Sequence, residues 1–222
     1  MLWHVYQGVS KAQRISDIWV LTDSDEVYAE VLSWGAKALM TSPDCPSGTA
    51  RIASVLDQLE GDIIVNVQGD EPMITGEVVD AVVSALEESE ADAATPVYRI
   101  FKGEEIADPN LVKAVRDAQG RALYFSRSPV PYVRDLDLNE WSSVAVFWGH
   151  VGLYAYRRKS LLEYVELPES KLETAEKLEQ LRLLEFGKQI ITVEIDQRLY
   201  GVDTPADLEY VMKLLDPNHA SL

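Results

Sequence analysis

Strand-like and helix-like segments alternate along the whole chain, and this alternation constrains the fold more than any single residue does. Short apolar runs give way repeatedly to segments with a three-to-four-residue apolar period, the pattern of an α/β fold with a mainly parallel sheet and helices on both faces. Residues 2–12 suit a helix, and residues 17–23 read as a buried strand that ends in polar side chains. Ser24 or Asp25 can cap a helix through Leu32, and a short strand follows at 36–40. The segment Ser47-Gly48-Thr49-Ala50-Arg51 precedes an amphipathic helix with Ile52, Val55, Leu56 and Leu59 on one stripe. Residues 62–67 form an almost uninterrupted apolar run, stopped abruptly by Gln68-Gly69-Asp70-Glu71-Pro72. Further strands are expected near 94–100, 112–116, 123–126 and 151–156, with helices over 172–186 and 205–215. A complete doubly wound domain normally opens with a strand and a Gly-rich turn, whereas this sequence opens with a helix.

The chain has 222 residues, 47% of them hydrophobic, enough to bury one sizeable core, and a single domain over 1–222 is expected. Twenty Lys and Arg against 37 Asp and Glu give a formal charge of −17, which argues against a nucleic-acid partner or an anionic membrane surface. A phosphorylated ligand must therefore meet locally concentrated cations or bring a metal. Cys45 is the single cysteine, so no intramolecular disulfide can form, and a reducing compartment suits the chain. No run is long and apolar enough for membrane insertion, and the first residues lack a leader pattern, so a cytoplasmic location is expected.

Ligands of open α/β sheets bind beyond the carboxyl ends of strands, where Asn66-Val67-Gln68-Gly69-Asp70-Glu71-Pro72 must lie. A carboxylate at Asp70 can hold Mg²⁺, which takes few protein oxygens and completes its shell with water and phosphate; equally, Gly69, Asp70 and Pro72 can simply turn the chain. Asp203, in Gly201-Val202-Asp203-Thr204-Pro205, is either a second metal acid or a helix cap. Ser47 and Gly48 with Arg51 can meet a nucleotide at a helix start or serve as an N-cap beside a solvated arginine; no Gly-Lys-Ser/Thr makes this a P-loop. Arg127 stands where an apolar strand meets a proline-stiffened loop and can grip a carboxylate with two parallel hydrogen bonds. His150 can bind a sugar oxygen or be merely packed, and Tyr154 and Tyr156 suit the core. Glu179 and Gln180 can read sugar hydroxyls if their helix turns them to the crevice.

The order of these segments is more specific than any one of them. Ser-Gly-Thr-x-Arg, Asn-Val-Gln-Gly-Asp-Glu-Pro, Tyr-Phe-Ser-Arg, His-x-Gly-Leu-Tyr-Ala-Tyr-Arg, Leu-Glu-Gln-Leu-Arg and Gly-Val-Asp-Thr-Pro-x-Asp-Leu follow one another over residues 1–215. In this the chain resembles the 3-deoxy-manno-octulosonate (KDO) cytidylyltransferases, or CMP-KDO synthetases.

The resemblance implies a Rossmann-like nucleotidyltransferase sheet and a Mg²⁺-dependent reaction, in which the anomeric hydroxyl of KDO attacks the α-phosphate of CTP. Pyrophosphate leaves, and the CMP-KDO formed serves lipopolysaccharide synthesis. By position, Asp70 and Asp203 match the metal-binding acids, Ser47, Gly48, Arg51 and Gln68 the nucleotide side, and Arg127, His150, Glu179 and Gln180 the sugar-acid side. A homodimer joined around residues 128–150 is also implied, with Trp141, Val144, Val146, Phe147 and Trp148 as an apolar cluster.

The sequence departs from the family in one large respect. The family's first strand and its Pro-Ala-Arg-x-x-Ser-x-Arg-x-Pro-Gly-Lys-Pro loop have no counterpart, so unpaired backbone inside the sheet and a shortage of phosphate-binding cations are expected. Another sugar acid, of the sialic or amino-KDO type, and a non-catalytic sugar- or nucleotide-binding or dimerisation module remain alternatives.

Overall fold

The computed structural model describes residues 1–196, 198–202 and 204–215. In chain order these form α1 (Leu2–Val9), β1 (Trp19–Thr22), α2 (Asp25–Ser33), β2 (Lys37–Met40), α3 (Gly48–Ala53), β3 (Ile63–Val67) and α4 (Gly76–Glu87). Next come β4 (Ala93–Ile100), α5 (Gly103–Ala107), β5 (Lys113–Arg116), β6 (Ala122–Ser126), α6 (Trp141–Val144), β7 (Phe147–His150) and β8 (Leu153–Arg157). The remainder is α7 (Arg158–Glu166), α8 (Lys171–Glu176), α9 (Gln180–Glu185), β9 (Ile190–Glu194) and α10 (Pro205–Leu215).

Helix starts follow local capping chemistry. Ser24, Ser47 and Thr75 each accept a bond from the backbone N–H three residues on, which fixes the first turns of α2, α3 and α4. The expected helix over 172–186 is two helices instead, because Lys177 turns left-handed (φ 56°) and ends α8 before α9 begins. The expected helix after Ser47 is likewise shorter, ending at Ala53 and followed by a single tight turn over Leu56–Gln58.

The α/β class and the helices on both faces are as expected, but the sheet is not mainly parallel. β1 and β2 pair in parallel as a separate two-stranded sheet. Seven strands form the other, in the order β3-β8-β4-β7-β5-β6 with β9 beside β4. Within it only β4 and β9 are parallel among the described residues. Alternating strands and helices reveal the kind of element but not its direction. The β5–β6 link, closed at Gly120 (φ 82°), is too short for anything but an antiparallel hairpin, and β7 and β8 run in line against β4.

On one face of the seven-stranded sheet, α1 and α4 bury Val5, Val79, Val82 and Leu86 with Leu153 and Ala155. On the other, Leu161, Tyr164, Leu181 and Leu183 pack on Phe125, Tyr154 and Tyr156. α1 also ties the two sheets together: Val5 and Val9 belong to the large core, while Leu2 and Tyr6 pack with Val20, Val31 and Trp34. This close approach needs Gly8, where a Cβ would fall 2.0 Å from the Ile74 carbonyl oxygen.

β1 pairs on one edge with β2, and β3 on one edge with β8. Their other edges have no backbone partner among the described residues and border a common cleft of about 380 Å³, whose walls include Leu2, Val5, Trp19, Leu21, Val65 and Val67. The unpaired backbone expected from the sequence is present. Asn66 lies in register with Tyr154, and the Asp62 carbonyl accepts from Arg158, so alternate residues 62, 64 and 66 face β8. The amides of Ile63, Val65 and Val67 therefore face the cleft. In hydrogen-exchange NMR, the Val65 amide should exchange orders of magnitude faster than those of Ile64 and Asn66; equal protection would show that the cleft edge is paired in solution.

Candidate active site at the carboxyl end of β3

β3 delivers Asn66, Gln68 and Asp70 to one end of the sheet. Asn66 is a buried amide in an otherwise apolar strand, and it is satisfied by neighbours: its Nδ2 donates to Thr49 Oγ1 at 3.4 Å, and its Oδ1 accepts from Gln68 Nε2 at 3.2 Å. The Gln68 amide lies over Gly48, where a Cβ would stand 3.2 Å from it. Thus α3 and β3 are knitted into one surface carrying Gly48, Thr49, Asn66 and Gln68.

Ser47 takes the structural role that its sequence left open, as the N-cap accepting from Ala50 at 3.2 Å. Arg51 is neither solvated nor unengaged. It donates to Asp23 at 3.0 Å and to the Thr41 hydroxyl, and it holds the Asp23 carboxyl below its ordinary pKa. Arg14 and Arg51 are the cations among the described residues lining the cleft, and Arg14 is paired with Glu87 at 2.8 Å. Both positive charges lining the cleft are thus already partnered.

Asp70 follows β3, half-buried, and its backbone carbonyl accepts from Val202 at 2.8 Å. Sequence spacing alone left open whether residues 70 and 203 belong together; the bond to Val202 brings the two segments into contact. Asp203 itself lies outside the described residues. No cluster of three or more metal-ligating side chains occurs among the described residues. A carboxylate at this strand end is a hard-oxygen donor that fits Mg²⁺.

On the neighbouring strand Tyr154 stands opposite Asn66, and the rings of His150, Tyr154 and Tyr156 form a row with centroids 5.4 and 5.6 Å apart. Tyr156 is hydrogen-bonded to Thr49, which joins this row to the α3 surface. Gln180 begins α9, buried, and Glu179 precedes it, half-buried. The Tyr154 hydroxyl and Gln180 Nε2 are both buried without a hydrogen-bond partner. Leaving such a group unpaired costs about 1–3 kcal/mol, so two of them near one row of rings mark a place for a polar ligand. Tyr154 looked like core in the sequence; the informative signal was the polar Asn66 opposite it.

Arg127 is more constrained than its sequence position suggested. Its Nε donates to the Glu176 carbonyl at 2.8 Å and its Nη1 to the Pro109 carbonyl at 3.0 Å. Its own amide donates to the Glu176 carboxylate at 2.9 Å, and its carbonyl accepts from the fully buried Lys113 at 2.6 Å. The Nε bond blocks a two-bond grip through Nε and Nη2, whereas Nη1 keeps a second N–H beside the one given to Pro109, so Nη1 and Nη2 together still carry donors for a carboxylate. Burial pushes the Lys113 pKa down to about 8.

His150 lies between Phe125 and Tyr154, and burial pushes its pKa down to about 3, so the ring is neutral at physiological pH. Its ligand chemistry is that of a hydrogen-bonding group, not of a cation. The sign of the stability effect follows. Between about pH 6.5 and 3 the unfolded chain binds a proton on this residue and the folded chain does not. Its contribution is therefore complete above pH 6.5 and lost as pH falls toward 3. Urea midpoints measured from pH 7 to 4 should fall less steeply for His150→Gln than for the parent; parallel slopes would show that His150 titrates normally in the fold.

Comparison with known proteins shows the family. The cytidylyltransferase family profile matches residues 1–190. The 3-deoxy-manno-octulosonate cytidylyltransferase of Geotalea daltonii is 45% identical over 97% of this chain and 87% of its own. The enzyme of the same name from Escherichia coli is 41% identical over 97% and 85%. A solved structure of CMP:2-keto-3-deoxy-manno-octonic acid synthetase complexed with CTP superposes with a TM-score of 0.90 at 42% identity, over 96% of this chain and 86% of that one. With a matching profile over most of its length and relatives this similar, the chain belongs to the cytidylyltransferase family, in the branch of the 3-deoxy-manno-octulosonate cytidylyltransferases.

Proposed function

We propose that this nucleotidyltransferase moves CMP from CTP to 3-deoxy-D-manno-octulosonate, releasing pyrophosphate and giving CMP-KDO for lipopolysaccharide synthesis. The observation that carries the reading is the β3–β8 pair. It sets Asn66, Gln68 and the Asp70 loop directly beside Tyr154 and His150, so one ligand surface runs from a nucleotide side to a polyhydroxyl side. On the first side Gly48 leaves room for close approach and Gln68 offers its amide. On the second, Tyr154 and Gln180 have unpaired donors, and Glu179 and His150 can hold sugar hydroxyls in position. Arg127 offers Nη2 to the sugar carboxylate.

Asp70, with Asp203, would hold Mg²⁺. Bound there, the ion would neutralise phosphate charge, align the attacking and leaving oxygens and lower the pKa of a coordinated hydroxyl. The chain's own part is to hold two reactants in line. In favourable systems that supplies about 7–11 kcal/mol of barrier reduction, and no protein nucleophile is needed. The expected readout is pyrophosphate release from CTP and KDO that requires Mg²⁺ and falls at least about 100-fold in Asp70→Asn. Release unaffected by that substitution sinks the assignment of Asp70.

The paired state of Arg14 and Arg51 favours a second reading for residues 1–222 as they stand, a binding module with a weak hold on triphosphate. CTP titration with and without Mg²⁺ separates the two: metal-dependent binding belongs to the enzyme, metal-independent binding to the module.

We further propose a cytoplasmic homodimer. Among the described residues no helix is long and apolar enough to cross a membrane. In the 128–150 segment Tyr132, Val144 and Val146 are exposed, next to exposed Phe101 and Leu136. Trp141 and Phe147 are instead buried and stacked 5.9 Å apart, so the apolar cluster read from the sequence divides into a core part and a surface part. Sedimentation should give a dimer for the parent and a shift toward monomer for Tyr132→Asp/Val144→Asp; a folded parent that stays monomeric at micromolar concentration counts against it.

A further inference from the structure

We propose that Thr95 is a positioning residue that locks His150 in the tautomer protonated on Nε2, so that Nδ1 faces the site as a hydrogen-bond acceptor for a ligand hydroxyl. The ligand part of this rests on the function proposed above; the tautomer does not.

β4 carries a proline, Pro96, inside the sheet. β4 alternates its edges: Ala93 donates to Gln189 and Val97 accepts from Ile195 on the β9 side, while Pro96 accepts from Val151 on the β7–β8 side. β7 pairs Val97 with His150, whereas β8 pairs Ala94 with Ala155, a register slip of two residues that leaves Val151 and Gly152 as a bulge. Extending the β8 register by two residues puts Leu153 against Pro96. The N–H that the Leu153 carbonyl would ordinarily receive is the one proline lacks.

The Thr95 hydroxyl takes that place. It is fully buried, and its Oγ1 lies 2.8 Å from the Leu153 oxygen, 3.3 Å from the Val151 oxygen and 3.0 Å from His150 Nε2. Val151 oxygen already accepts from the Leu153 amide at 2.8 Å. A hydroxyl has one proton, and carbonyl oxygens can only accept, so the Thr95 proton goes to Leu153. The contact with His150 is then a bond in which Nε2–H donates to Oγ1. Because the ring is neutral, Nδ1 then carries no proton, and among the described residues Nε2 is the ring nitrogen with a hydrogen-bond partner. The opposite tautomer would take the Thr95 proton for Nε2 and strand the Leu153 carbonyl in the core without a donor.

The test is long-range ¹H–¹⁵N NMR of the imidazoles in the 222-residue chain at pH 7, with His150 assigned by its loss in His150→Gln. The parent and Thr95→Ser should show the Nε2–H pattern, and Thr95→Val should lose it. Binding of 3-deoxy-manno-octulosonate, followed by ligand line broadening, should weaken about tenfold in Thr95→Val and recover in Thr95→Ser. An Nδ1–H pattern in the parent overturns the proposal whatever the variants do, including a Thr95→Val that does not fold. So does a tautomer that changes in Thr95→Val with sugar binding intact while His150→Gln weakens it. If neither variant alters binding but the tautomer behaves as described, His150 does not touch this sugar. The ligand half of the proposal then falls with the functional assignment of His150, and the positioning by Thr95 stands.

Discussion

A central strand that carries a proline cannot complete its ladder, and the site follows from how this chain answers that constraint at Pro96. Without an N–H at 96, the opposing strand gains nothing from staying in register there, and it slips by two residues at Val151 and Gly152. The slip separates β7 from β8 and leaves His150 at the end of one and Tyr154 near the start of the other, their rings tilted against each other with centroids 5.4 Å apart. Hydrogen bonding lost at Pro96 is recovered by the Thr95 side chain, which also contacts the imidazole. One missing donor thus connects the sheet's irregularity to the orientation of a candidate ligand.

A second constraint is the join between the two sheets. No backbone hydrogen bonds connect β1 with β3 among the described residues, so the small sheet depends on side-chain contacts for its place. α1 provides most of them, packing Val5 and Val9 into one core and Leu2 and Tyr6 into the other. The Arg51–Asp23 pair provides another, linking the end of β1 to α3. That use of Arg51 has an electrostatic consequence. The Asp23 carboxylate already neutralises this cation, and a surface pair of this kind adds little to stability while reducing the attraction for phosphate.

The sequence made some features legible and hid others for identifiable reasons. The strand ending in Gln68-Gly69-Asp70 was readable because an apolar run stopped by Gly and Pro has few other solutions. Ser24 and Ser47 were readable as caps because capping is local. Strand direction was not readable, since it depends on which strands pair across long stretches of chain. The break at Lys177 was hidden because lysine favours helix interiors and its left-handed turn answers to packing around α8 and α9. The divided role of Trp141 and Val144 was hidden for a similar reason, as both are apolar and burial alone separates them. Arg127 was legible as a position but not as a geometry, because the carbonyls of Glu176 and Pro109 that occupy its guanidinium are brought to it by remote segments. Family resemblance assigned nucleotide and sugar sides by position. It said nothing of Thr95, whose role depends on a bulge created three strands on in the sequence and one strand away in space.

Charge sets the final relation between fold and activity. A chain of net charge −17 that is to hold a triphosphate and a sugar acid faces repulsion from both, and long-range attraction cannot bring them in. Affinity must then come from short-range groups already aimed. The interior provides several on the sugar side: a neutral His150, an unpaired Tyr154 hydroxyl and an unpaired Gln180 amide, each indifferent to the overall field. The phosphate side has no such substitute among the cleft residues, because neutral donors cannot offset several negative charges and both arginines there are partnered. Under the proposed function the two sides therefore differ in what they require: the sugar side would be organised by hydrogen bonding within the sheet, whereas the phosphate side would need positive charge, which a metal ion held at Asp70 would supply.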